Sequence, residues 1–185
     1  MQEATIKDAK ERMKKSVANL EEEFNSMRTG RASAGLFERI KIDYYGQSTP
    51  LNQAATISVP EARLVVIQPW DKSLLMEIEK AIQKSELSVN PSNDGKVIRI
   101  QIPPLTEERR KDLVKFAKNT AEQGKVAIRN IRRDANDDLK KFMKNGDISE
   151  DDEKRAVDEI QKLTDTYIEE MTALLESKEK EIMEV

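Results

Sequence analysis

Three stretches of this chain carry apolar residues at spacings of three and four, the period of one face of an α-helix. In residues 5–28 they are Ile6, Ala9, Met13, Val17, Leu20, Phe24 and Met27. In residues 106–143 they are Leu113, Ala117, Thr120, Gly124, Ile128, Ile131, Ala135, Leu139 and Phe142. The third series is Ala156, Ile160, Leu163, Tyr167, Met171 and Leu174, fading towards Ile182. A helix with one apolar stripe must bury it against another element, and three such stripes bury one another in a bundle. The second helix would be roughly 55 Å long. Thr106 followed by Glu107 and Glu108, and Ser149 followed by Glu150, Asp151 and Asp152, are the residues that open helices. Gly30 and Asn145-Gly146 stand where helices stop. The short link before Ser149 makes the last two helices antiparallel.

Between the first and second helices the period drops to two. Ile40, Ile42 and Tyr44 alternate with Lys41, Asp43 and Tyr45, which is strand spacing. A second strand with Ala55, Ile57 and Val59 should stop at Pro60, and a buried one over residues 64–67 before Pro69. A short helix over residues 72–82 follows, then loops at Asn90-Pro91 and Asn93-Asp94-Gly95. Val97, Ile98, Ile100 and Ile102 make the last strand, ended by Pro103-Pro104. The expected class is therefore α+β: a long three-helix bundle (1–30 and 105–185) with a small α+β domain (31–104) inserted between helices 1 and 2. Two segments join the parts, one at Thr29-Gly30-Arg31 and one at Pro103-Pro104-Leu105. They have the chemistry either of a restrained hinge or of ordinary linkers.

The chain has no Cys and no His. That removes disulfides, thiolate metal sites, the commonest zinc ligand and the usual general base. No apolar run approaches the ~20 residues that span a bilayer. Met1-Gln2-Glu3 does not begin a secretory signal. These features set the expectation of a soluble, cytoplasmic protein that is not an enzyme, needs no cofactor and meets no membrane. There is no P-loop and no GxGxxG. Glu21-Glu22-Glu23 and the acids near residue 150 point to different helix faces and read as solvated surface, not as a carboxylate metal site. Tyr44-Tyr45 reads as one core and one surface aromatic.

The net charge of −3 hides a basic segment. Between Arg109 and Arg133, nine Lys or Arg face two acids, whereas residues 147–185 hold fourteen acids and five bases. Lys111, Lys115, Lys118, Lys125, Arg129 and Arg132 recur every three, four or seven residues. Ala117, Gly124, Ile128 and Ile131 each precede one of them, so the basic face lies about 100° from the apolar seam and stays open to solvent. A charged helix face is usually only solvated. Here opposite charges are nearly absent from the stripe, though Glu122 interrupts it; its richest part is the phosphate-matching cluster Arg129, Arg132 and Arg133, and the rest of the chain is acidic. The pattern points to nucleic-acid binding through phosphates and grooves, without aromatic stacking and with strong salt dependence. Two rival readings are a helical structural or chaperone-like interaction protein, and a metal-dependent enzyme using carboxylates.

Six blocks in register carry a resemblance. They are Met27-Arg28-Thr29-Gly30-Arg31-Ala32-Ser33, Asp43-Tyr44-Tyr45-Gly46, Pro69-Trp70-Asp71, Asn93-Asp94-Gly95, Arg129-Asn130-Ile131-Arg132-Arg133-Asp134 and Ile160-Gln161-Lys162-Leu163-Thr164-Asp165. In order and spacing the chain resembles the ribosome recycling factor family over essentially its whole length. The resemblance implies an L-shaped monomer that binds the post-termination ribosome between its subunits, on large-subunit rRNA. It implies cooperation with elongation factor G, which uses GTP to split the subunits with release of mRNA and tRNA. It assigns rRNA contacts to Arg129 and Arg132, with Arg28, Arg31 and Arg133 beside them, to which the basic stripe adds Lys125 and Lys118, and a hinge to Gly30, Arg31, Ala32, Pro103, Pro104 and Leu105. One departure is visible: Ala34-Gly35 stands where the family commonly has Pro, which implies a looser outgoing connector.

Overall fold

The helical period of the first segment is realised over Gln2–Ser26 (α1). In chain order there follow α2 (Gly35–Glu38), β1 (Lys41–Tyr44), β2 (Gln47–Pro50), β3 (Ala55–Glu61), β4 (Leu64–Pro69), α3 (Leu75–Lys84), β5 (Pro91–Asn93), β6 (Ile98–Gln101), α4 (Glu107–Lys144) and α5 (Glu150–Glu184). The computed structural model describes residues 1–87 and 89–184. They form two compact units, Met1–Met27 with Glu107–Glu184, and Arg28–Thr106.

In the helical unit α1, α4 and α5 each pack on both of the others. The seam is Ala9, Met13, Leu20 and Phe24 from α1, Leu113, Ala117, Thr120, Ala121, Ile128, Ile131, Ala135 and Leu139 from α4, and Ala156, Ile160, Thr164, Tyr167, Met171, Lys178 and Ile182 from α5. Two sequence expectations for α5 change. Leu163 is only half-buried while Thr164 is 1% exposed. At 100° per residue Thr164 stands nearer the middle of the face set by Ile160, Tyr167 and Met171, and its hydroxyl is satisfied inside the helix by donating to Ile160 O at 2.8 Å. The seam also does not fade: Lys178 is buried and Ile182 is fully enclosed. Ser149 opens α5 as expected, with Asp152 N–H donating to Ser149 Oγ at 3.1 Å. Phe142, expected in the seam, is half-buried.

The other unit holds an antiparallel four-stranded sheet of order β3-β4-β6-β5 and a separate β1-β2 hairpin. Its core includes Phe37, Ile42, Leu51, Val65, Ile67, Ile78, Ile82, Ile98 and Ile100. Pro60 does not stop β3. The strand runs through Glu61 with a register shift between Ser58 and Glu61, and β3 is an edge strand, where proline is tolerated at such irregularities. Asn90-Pro91 is not wholly a loop: Pro91 is the first residue of the opposite edge strand. Strand β2 has no alternation of its own. It is brought against β1 by the two-residue turn Tyr45-Gly46, both at positive φ. Tyr45 is a bulky residue in that strained region. It is held there by an edge-on contact with Tyr44 at 4.7 Å and by its hydroxyl, which donates to Asp71 Oδ2 at 3.1 Å. Tyr44 is half-buried and Tyr45 exposed, matching the one-in, one-out reading. Asp94 fixes the β5–β6 turn by accepting from Lys96 N, Val97 N and Arg99 Nη1.

The two connectors lie side by side in this unit. Gly30 has φ +78°, and a Cβ there would stand 2.9 Å from Leu105 Cγ, so both the backbone and the neighbour require glycine. Ala32 N–H donates to Ala62 O at 2.7 Å, and Ile102 N–H donates to Arg63 O at 2.8 Å. Both chain segments are thus tied to one β3–β4 turn. The departure from the family pattern lies just beyond this tie, at Ala34-Gly35. It begins the helical turn α2, whose Phe37 is fully buried.

Candidate nucleic-acid interface

Every residue expected in the basic stripe lies on α4, which α1 and α5 hold by its seam. The Arg129-to-Asp134 block divides its side chains among three tasks. Ile131 enters the seam. Asp134 accepts from Arg12 Nη2 at 3.1 Å and clips α1 to α4. Arg129, Arg132 and Arg133 remain at least partly open to solvent.

The stripe borders α5, and this corrects the expectation that acids are nearly absent from it. Arg129 Nη1 donates to Glu122 Oε1 at 3.1 Å, two helical turns back. Lys118 Nζ stands 3.9 Å from Glu179 of α5, and Lys111 Nζ 3.2 Å from Glu107. Arg132 Nη1 donates to Gln161 Oε1 at 3.1 Å, and Gln161 Nε2 in turn donates to Asp165 Oδ1 at 2.9 Å. Glu122 was visible as an interruption of the stripe. Glu179 and Gln161 were not, because nothing in the sequence says which α5 residues stand beside α4. Exposed pairs of this kind are worth about 0.2–1 kcal/mol each, so a phosphate can displace the carboxylate at small cost. They also aim the guanidinium groups before any ligand arrives. Lys115, Lys125 and Arg133 have no ion pair among the described residues.

At the end of α4 nearest Glu107 the stripe edges a shallow groove of about 310 Å³. Its floor is Val114 and Met183, and its sides are Lys111, Lys115 and Lys118. Phe116 falls between two stripe lysines in sequence and is 57% exposed. At 100° per residue it nevertheless projects from a different face of α4, so the stripe itself carries no aromatic. Arg28 and Arg31 are exposed, but they belong to the unit spanning Arg28–Thr106. The structure therefore gathers Lys118, Lys125, Arg129, Arg132 and Arg133 on one helix and leaves Arg28 and Arg31 on the outgoing connector. Among the described residues, no three acids are grouped to hold a metal ion, and no helix is long and apolar enough to cross a membrane.

Comparison with known proteins places these features in one family. The family model described as ribosome recycling factor matches residues 20–183. A ribosome-recycling factor of Treponema denticola is 64% identical over 184 residues, and one of Halalkalibacterium halodurans is 60% identical over 185, each covering 100% of both chains. Among solved structures, a solution structure of the ribosome recycling factor aligns with TM-score 0.75 at 47% identity, covering 100% of this chain and 98% of the other. A model of the T. thermophilus ribosome recycling factor, bound with the E. coli elongation factor G to the E. coli post-termination complex, aligns with TM-score 0.63 at 49% identity and covers 98% of each chain. With the family model matching most of its length and these relatives matching all of it, the chain belongs to the ribosome recycling factor family.

Proposed function

We propose that this chain binds the post-termination ribosome in the intersubunit space and, with elongation factor G and GTP, promotes its separation into subunits with release of mRNA and tRNA. The observation that carries this reading is the α4 stripe. Arg129, Arg132, Arg133, Lys125 and Lys118 lie beside the seam that packs the helix into the bundle, so they can track a phosphate backbone of large-subunit rRNA. The recycling factor of T. thermophilus, bound together with elongation factor G to a post-termination complex, supports the choice of partners. In this reading the chain works as a monomer in the cytoplasm and catalyses nothing itself. Its sequence has no phosphate-cradling loop, and the GTP chemistry is left to elongation factor G. Arg28 and Arg31 add phosphate contacts from the connector. Gly30, Arg31, Ala32, Pro103, Pro104 and Leu105 form the hinge: the Gly30–Leu105 contact and the two ties to the β3–β4 turn favour a restrained motion over a free one.

Sedimentation of post-termination ribosomes with the chain, elongation factor G and GTP tests the whole reading: free subunits should accumulate. With Arg129→Ala/Arg132→Ala, binding should weaken, and the slope of log K against log salt should shrink by about 1 per arginine removed. Unchanged binding by that variant would favour the rival, a helical structural or chaperone-like protein whose charges only keep it soluble. Absence of subunits with the unaltered chain would overturn the proposal.

A further inference from the structure

Strand β1 has one edge with no strand paired to it among the described residues. In an antiparallel hairpin, alternate residues bond to the partner strand and the others turn their N–H and C=O groups outward. Ile40 O accepts from Leu51 N–H at 2.8 Å, and Ile42 and Tyr44 stand opposite Thr49 and Gln47. The outward groups therefore belong to Lys41 and Asp43, and the hairpin has no third strand among the described residues.

This edge opens on a groove of about 430 Å³ between β1 and α3. Ile40, Ile42 and Ala81 supply apolar floor. Lys80 and Lys84, one helical turn apart on α3, and Lys41 on β1 put three ammonium groups on the rim against the two carboxylates of Asp43 and Glu77. None of these five side chains is in an ion pair among the described residues. Like charges at i,i+4 repel, and an incoming carboxylate relieves that repulsion. A short edge rimmed with charge is a common defence against aggregation. Defence alone does not call for an apolar channel alongside the edge with a lysine pair beyond it.

We propose that the β1 edge and the α3 groove accept an extended acidic segment of a protein partner by strand addition. Main-chain bonds would form to Lys41 and Asp43. Side chains on the face turned to α3 would enter the channel, apolar ones against its floor and carboxylates among them reaching Lys80 and Lys84. The proposal does not rest on the ribosomal reading, because the groove shares no residue with the α4 stripe.

The probe is an acetylated, amidated hexapeptide of sequence Ser-Val-Ser-Glu-Ser-Glu, which puts valine and both glutamates on one strand face, titrated into the full-length chain labelled with nitrogen-15. Binding is expected with Kd on the order of 1 mM, as befits a short unstructured peptide. Shifts should centre on the amides of Lys41, Asp43, Ala81 and Lys84, and the Lys41 and Asp43 amide protons should exchange more slowly when bound. Lys80→Glu/Lys84→Glu, two exposed positions at which the same spectrum reports the fold, should weaken binding about tenfold. No shift at Lys41 and Asp43 at several times that concentration overturns the proposal. So do equal binding of the same peptide with lysine in place of glutamate, unchanged binding by the double variant, or an oligouridylate producing the same shifts in place of the acidic peptide.

Discussion

Gly124 of α4 faces both α1 and α5, and it gives a sharp test of how the bundle that carries the basic stripe is packed. A Cβ added there would lie 3.2 Å from Met171 Sδ, 3.3 Å from Met171 Cε and 3.8 Å from Leu20 Cδ2. Two terms oppose each other in Gly124→Ala. Alanine is favoured over glycine in a helix interior by about 1 kcal/mol. The methyl group must push back a thioether that is flexible but fully buried, which costs a similar amount. The expected net change is within about 0.5 kcal/mol of zero. Gly124→Val is different. Each γ-methyl projects about 1.5 Å beyond that Cβ, and valine's stiff χ1 limits how far they can turn away from Met171 and Leu20. Overpacking of this kind costs about 2–3 kcal/mol, against a propensity gain of only about 0.4. The expected result is destabilisation by about 2 kcal/mol, read by urea denaturation with circular dichroism at the helical wavelengths as a lower midpoint at unchanged slope. Met171→Ala alone should cost about 2–5 kcal/mol by opening a cavity. In the valine background that cavity is filled, so the double variant should be more stable than additivity predicts by at least about 1 kcal/mol. A valine variant as stable as the parent, or strictly additive costs, would refute the close three-helix approach at this position.

Glu122→Gln should free the Arg129 guanidinium and tighten ribosome binding about two- to fivefold at low salt, with the gain vanishing as salt rises; weaker binding would contradict the assigned stripe. In acid, hydrogen bonds to Ser149 hold the Asp152 carboxyl below the usual range, and those from Val97, Arg99 and Lys96 hold Asp94 well below it. Because both are depressed in the folded state, their stabilisation is complete above the ordinary carboxylate pKa near 4 and is lost as pH falls through the folded values. Ser149→Ala should therefore lower stability at pH 7 more than at pH 2, and an equal loss at both would sink that account. Lys178 sits in the seam at 7% exposure, bonded to Glu181 at 3.0 Å. Lys178→Met, which keeps the volume and drops the buried charge, should leave thermal stability unchanged or raised, whereas Lys178→Ala should lower it; the opposite order would mean the charge itself stabilises the bundle.

The three helices were legible because a helix imposes its 3.6-residue period on any face it buries, whatever it packs against. Ala9, Met13, Ile128, Leu139, Ile160 and Met171 all stand in the seam that their spacing indicates. The same period, offset by one residue, put Lys118, Lys125, Arg129 and Arg132 beside that seam. Strands β2 and β5 were not legible. Gln47–Pro50 and Pro91–Asn93 are short, polar edge strands whose partners, not their own side chains, make them strands. Nor did spacing decide between Leu163 and Thr164, because hydrophobicity favoured one and the geometry of the face the other.

The basic stripe shows the division most clearly. Its composition, its register and its place next to the apolar face are local properties, so the amino-acid sequence by itself determined them. Which of its charges are already engaged depends on chain segments brought near only by packing. Glu179 reaches Lys118, and Gln161 reaches Arg132, because α5 folds back along α4. The same holds for the connectors: Gly30 and the prolines near residue 104 mark a break in the sequence, but the contact with Leu105 and the shared tie to the β3–β4 turn exist only once the tertiary structure has formed.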